Sequence, residues 1–157
     1  MTVYLDASGT AGIVAGDINN GSYDNCGVSS LALDTTAFDC SDLGSNTVTL
    51  SATDVNGNSA SATAIVTVRD TITPVAKAKN LTVYLDGSGQ ATITPSMANN
   101  GSSDNCAVNL SLSQSVYTCA DLGLNTEILT VSDNDGNAAD AGFLIEVKDT
   151  KLCPPIK

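Results

Sequence analysis

Histidine and tryptophan are absent from this 157-residue chain, glutamate occurs twice, and lysine and arginine together number six. Without histidine there is no Ser-His or Cys-His pair to activate a nucleophile. No Cys-x-x-Cys spacing occurs either, which argues against a structural zinc site. Six cations and six aromatic residues leave little to neutralise phosphates or stack on bases, which argues against nucleic-acid binding. No apolar run approaches membrane-spanning length, so membrane insertion by a helix is not expected, and no signal peptide is recognisable. Carboxylates abound, but none sits in a recognisable acid/base context. The chain reads as non-enzymatic.

What it has in quantity is aspartate: 15 residues against 2 glutamates, at a formal charge of −11. A merely solubilising surface would mix both acids, whereas aspartate belongs to turns and to oxygen-ligand loops.

The chain also repeats itself. Thr2-Val3-Tyr4-Leu5-Asp6 returns as Thr82-Val83-Tyr84-Leu85-Asp86, and Asn19–Ser22 with Asp24-Asn25-Cys26 returns as Asn99–Ser102 with Asp104-Asn105-Cys106. After a one-residue deletion, Cys40 matches Cys119, and Asp54 with Gly57-Asn58 matches Asp133 with Gly136-Asn137. A period near 80 residues suits a small domain that folds alone and is strung in tandem. Boundaries are expected at 1–70 for a first repeat that starts inside its first strand, 71–149 for the second, and 150–157 for the start of a further linker or repeat. The expectation is a fragment of a longer array whose export signals lie elsewhere. The junction Arg69–Pro74 is short, and its proline favours a stiff, extended connection.

Units this small bury a modest core and gain from a staple. Each repeat holds two cysteines, Cys26 with Cys40 and Cys106 with Cys119. Their recurrence favours a disulfide within each repeat, worth on the order of 3 kcal/mol. Reduced thiols or half a zinc site are the alternatives. Disulfides imply an oxidising compartment, hence an extracellular or cell-surface location. Cys153 is left over, either free or paired beyond the second repeat.

Period-two alternation dominates. Val48, Leu50 and Ala52 alternate with Thr and Ser, as do Ala60 through Val68, Leu129 with Val131, and Ala139 through Val147. These are half-buried antiparallel strands. Strands are expected at Thr2–Leu5, Ala11–Val14, Val28–Leu33 and near Phe38, followed by a closing hairpin. The Asp-x-Asn-Gly-Asn turn of that hairpin reads as type I′. The fold class is all-β: two tandem sandwiches of about seven strands each, Ig-like but without an antibody domain's buried tryptophan. Ser96–Ala98, after Pro95, is a helical turn at most.

In such a sandwich the loop before the third strand and the closing hairpin share one end. That end of the second repeat would gather Asp104 and Asn105 with Asp133, Asp135 and Asn137, and the junction residue Asp70 arrives there. Hard oxygens from three segments are what Ca²⁺ requires. Asp24, Asp54 and Asn56 would form a weaker version in the first repeat. The alternative is plain turn chemistry without metal. Asp133-Asn134-Asp135-Gly136 resembles the start of an EF-hand loop but lacks its closing glutamate.

The run Asp104-Asn105-Cys106, the Thr-Val-Thr alternation ending in Asp54-x-Asn56-Gly57-Asn58 and the Val-x-Asp-Thr junction resemble hyalin-repeat-type (HYR-like) Ig-like modules. More closely, the Val-Tyr-Leu-Asp-x-Ser-Gly openings and the Asn-Gly-Ser-x-Asp-Asn-Cys loops resemble the tandem repeats of very large Bacteroidetes surface adhesins of the gliding-motility kind. That resemblance covers both repeats and implies a stalk or filament of an exported adhesin with no enzyme activity. It also implies O-glycosylation at Thr71 (Asp70-Thr71-Ile72) and Thr35 (Asp34-Thr35-Thr36). Hyalin-type repeats often carry Cys-Pro before the first strand; the second copy has Ala78-Lys79 there, whereas Cys153-Pro154 matches that pair. Expected partners are neighbouring repeats, surface glycans, or further copies through edge strands. The runner-up function is a carbohydrate-binding accessory module, for which Tyr23 is the stacking candidate; Ser103 replaces it in the second copy.

Overall fold

The computed structural model describes residues 1–150 and Cys153. Two compact units divide after Ile72. The further linker or repeat expected at 150–157 lies, apart from Thr150 and Cys153, outside the described residues.

The first unit contains β1 (Thr2–Tyr4), β2 (Thr10–Gly12), a helical turn α1 (Ala15–Ile18), β3 (Val28–Leu33), β4 (Ala37–Asp39), β5 (Gly44–Asp54) and β6 (Ser59–Arg69). One sheet has the order β1-β6-β5-β3, with β1 parallel to β6 and the other pairs antiparallel. The second sheet is β2 with β4. Alternation decides which side chains enter: Val48 and Leu50 of β5 and Val66 and Val68 of β6 are buried, along with Ile13 and Phe38 at the small sheet. The intervening Thr47, Thr49, Ile65 and Thr67 are less buried, as a pleat requires. The result is a two-layer β-sandwich.

The second unit repeats the plan with β7 (Leu81–Tyr84), β8 (Gln90–Thr92), α2 (Pro95–Ala98), β9 (Asn109–Leu112), β10 (Val116–Thr118), β11 (Gly123–Ser132) and β12 (Ala138–Lys148). Its sheets are β7-β12-β11-β9 and β10-β8. Leu129, Val131, Phe143, Ile145 and Val147 pack with Ile93 and Tyr117 in one core.

Four expectations need correction. Among the described residues each unit has six strands, not about seven, the small sheet holding only two strands of three residues each. The β2 strand stops at Gly12, and α1 follows one residue after Val14, where Asp17 Oδ2 accepts the Val14 amide at 2.8 Å. The hairpin turn is not type I′, which would need a positive φ at Asn56. Only Gly57 has one, at 88°. Asp54 Oδ1 instead gathers the amides of Asn56 and Asn58, both at 2.8 Å. This closes a type I turn followed by a left-handed glycine.

The disulfides differ most. Cys119 is bonded to Cys153, with the Cα atoms 5.6 Å apart, and Cys26 is a free, exposed thiol. Neither expected bridge, Cys26–Cys40 or Cys106–Cys119, forms. The strands explain why. Val28 pairs with Asp54, at the far end of β5, while Cys40 precedes Gly44 at its near end. Eleven residues of strand separate the two positions, roughly 30 Å, against the ~7 Å limit between bridged Cα atoms. Cys106 and Cys119 stand at opposite ends of β11 in the same way. Meanwhile Val147 of β12 pairs with Gly123, which delivers the following chain and Cys153 to the end where Cys119 lies. Neither Cys40 nor Cys106 is a free thiol.

Candidate metal centre

At one end of the second unit, the loop between α2 and β9 meets the β11–β12 turn, because β9 pairs with the last residues of β11. Asn109 Nδ2 donates to Asn134 Oδ1 at 3.0 Å and ties the two segments together.

Asp133 is the fixed point. It is 6% exposed, and its Oδ1 accepts the amides of Asp135, Gly136 and Asn137 at 2.9, 2.7 and 2.8 Å. Asn137 Nδ2 donates to its Oδ2 at 2.6 Å. Gly136 supplies the left-handed residue of the turn, at a φ of 97°. Burial works to raise the pKa of Asp133, but the hydrogen bonds from Asn137, Gly136 and Asp135 outweigh it and hold the carboxyl below the usual carboxylate range. Asp133 is therefore an anion at neutral pH.

Asp104 approaches from the other loop, its carboxylate within 4.8 Å of that of Asp133. Its Oδ2 accepts the Cys106 amide at 3.1 Å, while its Oδ1 is buried with no hydrogen-bond partner. An unmatched buried carboxylate oxygen costs about 1–3 kcal/mol or more, and a second anion beside it adds repulsion. A hard divalent cation would remove both penalties. The residues fit one: Asp104 and Asp133 supply oxygens, and Asn105, Asp135 and Asn137 lie in the same two segments.

The other expected ligands distribute as follows. Asp70 follows β6 in the first unit, where it is buried and its Oδ1 accepts the Ile72 amide at 3.0 Å. It sits at the opposite end of that unit from Asp24 and Asp54, since β6 and β5 pair with Val68 beside Gly44. Asp24 Oδ2 caps the Cys26 amide at 2.8 Å. Asp24 and Asp54 line one small cleft together with Asn58. Asn56 gives Asp54 only its backbone amide, whereas Asn58 donates through its side chain at 2.7 Å. Asn58 was the residue missed. Its match to Asn137, 79 positions on, was the available signal. Hydrogen bonding, led by the Asn58 side chain, holds Asp54 below the ordinary value too. Thr71 is exposed and Thr35 half-buried.

No family model and no curated protein matches the chain. Among solved structures it is similar to the human mucin-like protocadherin EC1-2 fragment, at 13% identity and TM-score 0.39, covering 74% of this chain and 76% of that one. It is similar to human protocadherin-24 EC1-2 at 13% identity and TM-score 0.39, covering 95% and 94%. It is also similar to the fibronectin(III)-like modules of Clostridium thermocellum CbhA at 17% identity and TM-score 0.34, covering 87% of each. At such identities and scores none of these proteins lends its ligand or partner to this chain.

Proposed function

We propose that this chain is a non-catalytic structural segment of a long, secreted cell-surface adhesin: two β modules in tandem that project and stiffen, clamped by calcium. The sequence resemblance points to the Bacteroidetes gliding-adhesin type. The Cys119–Cys153 bridge fits an oxidising, extracellular setting. One observation carries the calcium reading: the close pair of Asp104 and Asp133 carboxylates, with an orphaned buried oxygen on Asp104. In this proposal the ion ties the loop before β9 to the β11–β12 turn and stiffens that end of the second module.

Calorimetric melting with Ca²⁺ or with excess chelator tests it. At a hundredfold excess over Kd, binding stabilises by ~2.7 kcal/mol, roughly 10 °C or more for a unit of this size. Asp133→Asn should abolish the shift. Identical midpoints with millimolar Ca²⁺ and with chelator would discard the clamp and leave the fold untouched.

A second reading rests on Tyr23, which is 92% exposed on the rim of an open cleft of about 510 Å³ in the first unit. Such a ring suits stacking on a sugar. Glycan-array binding that is lost in Tyr23→Ala would favour a carbohydrate-binding module instead.

A further inference from the structure

The cleft below Tyr23 has a covered counterpart. In the second unit the stretch before β7 runs across the matching surface. Val75 and Ser103 exchange backbone hydrogen bonds of 2.7 and 3.1 Å, the Lys79 amide donates to Ala98 O at 2.9 Å, and the Asn100 amide donates to Lys77 O at 2.9 Å. Lys77 and the Ser102 hydroxyl bond reciprocally, at 2.9 and 3.1 Å. Between these bonds Ala76 and Ala78 pack onto the core. Beneath them Ala98, Leu129 and Val131 are fully buried and Phe143 nearly so.

In the first unit no described segment takes the corresponding place. The corresponding groups, Ile18 O, the Asn20 amide and the Tyr23 amide and carbonyl, make no such bonds among the described residues. Ile18, Leu50, Ala52, Ala62 and Ala64 line the open cleft instead. The covering segment carries Lys77 and Lys79, whereas residues 1–72 hold eight aspartates against one arginine, so the charges match.

We infer that this cleft is the seat of an extended, basic inter-module linker of the Thr73–Asn80 type, delivered by a module placed ahead of this one in a tandem array. Two alanines spaced by one lysine enter the cleft, and the flanking backbone pairs with Asn20 and Tyr23 as an added strand. This rests on the tandem-array reading but not on calcium, so the test is run in chelator.

The test is the full chain extended at Met1 by a copy of Thr73–Asn80, followed by residue-resolved amide hydrogen exchange. Exchange at Asn20 and Tyr23 should slow by about ten-fold or more, approaching that of Asn100 and Ser103. The same extension with aspartate in place of both alanines should give no slowing. Unchanged exchange at Asn20 and Tyr23, or equal slowing by the aspartate version, overturns the inference. So does protection of these amides in the unextended chain that rises with protein concentration, which would assign the cleft to a second copy. Stronger protection by an oligosaccharide than by the extension would assign it to a glycan and likewise overturn it.

Discussion

In the first unit, Asp34 Oδ1 accepts the Thr49 amide at 2.8 Å, Val48 is fully buried, and Phe38 fills the space beside the small sheet. In the second, Ser113 stands at the position of Asp34. Its Oγ accepts the Ile128 amide at 2.8 Å and donates to Glu127, a buried carboxylate at the position of Val48. Tyr117 replaces Phe38, with its hydroxyl donating to Gln114 O at 3.3 Å. Burial and the charge of Glu127 push Tyr117 up to about 12. One charge has moved from rim to interior while the backbone stayed the same. The module requires an acceptor for that one strand amide and bulk at its centre; which side chain provides them is free to drift.

The largest test concerns volume. Phe143 is 3% exposed in the second core, and its counterpart in the first is Ala64. Phe143→Ala should cost about 3–5 kcal/mol, read as a lowered denaturant midpoint for the second unit, and should leave a cavity beneath the stretch before β7 that packs on this core. A cost below ~1 kcal/mol would mean that the surrounding side chains close over the space of the lost ring.

Next comes the bridge that only the second unit carries within itself. Cys119 and Cys153 enclose 34 residues of separation. By the loop-entropy relation, replacing both with serine should destabilise that unit by about 3–4 kcal/mol. Cys26→Ser, at an exposed free thiol, should stay within about 0.5 kcal/mol. Mass spectrometry of an unreduced digest checks the pairing directly. A Cys106–Cys119 peptide would restore the symmetry that the strands deny.

The sequence spoke clearly where its chemistry was local. Alternation of Val and Leu with Thr located β5, β6, β11 and β12, because the pleat has a fixed period of two. Asp54 and Asp133 were legible as turn acids from the glycine three residues on. The disulfides were not legible, because equal spacing along the chain says nothing about which end of a strand each cysteine reaches. Asn58 was not legible as the side-chain partner of Asp54, because the Asn-Gly hairpin signal falls on Asn56, which offers only its backbone amide. Asp17 and its helical turn lay hidden behind a glycine and a β-branched valine. The orphaned oxygen of Asp104 is a property of packing, so no motif could announce it.

A smaller effect is expected from making the second unit copy the first at its buried charge. Glu127→Val removes a desolvated carboxylate and leaves Ser113 Oγ to serve the Ile128 amide alone. Replacement of buried charge by a fitting apolar group is often neutral or stabilising, so stability at pH 7 should change by less than about 1 kcal/mol. Tyr117 should then titrate closer to 10, followed by its ultraviolet absorbance. With the native glutamate, the raised Tyr117 value contributes stability that is present below the ordinary tyrosine pKa and is lost as pH rises from about 10 through about 12. A strongly destabilised Glu127→Val would show that the carboxylate organises the core of the second unit.

The smallest effect lies in the β1–β2 turn. Asp6 Oδ1 accepts from Ser8 Oγ at 2.6 Å, the Ser8 amide at 2.9 Å and the Thr10 amide at 3.1 Å, with Thr10 Oγ1 at 3.3 Å from both carboxylate oxygens. The Ser8 hydroxyl contributes most and the Thr10 hydroxyl least to holding this carboxyl down at about 2. Asp86 has the same serine contacts, at 2.7 and 2.8 Å, but Gln90 in place of Thr10 offers its amide alone, at 3.1 Å. A depressed carboxyl stabilises the fold above its ordinary value, and the contribution is lost as pH falls from about 4 through about 2. In a carboxyl NMR titration, Thr10→Gln should therefore raise Asp6 slightly, and Ser8→Ala should raise it further. If Thr10→Gln had the larger effect, the threonine hydroxyl would be the main restraint on Asp6, and the two turns would differ in mechanism as well as in sequence.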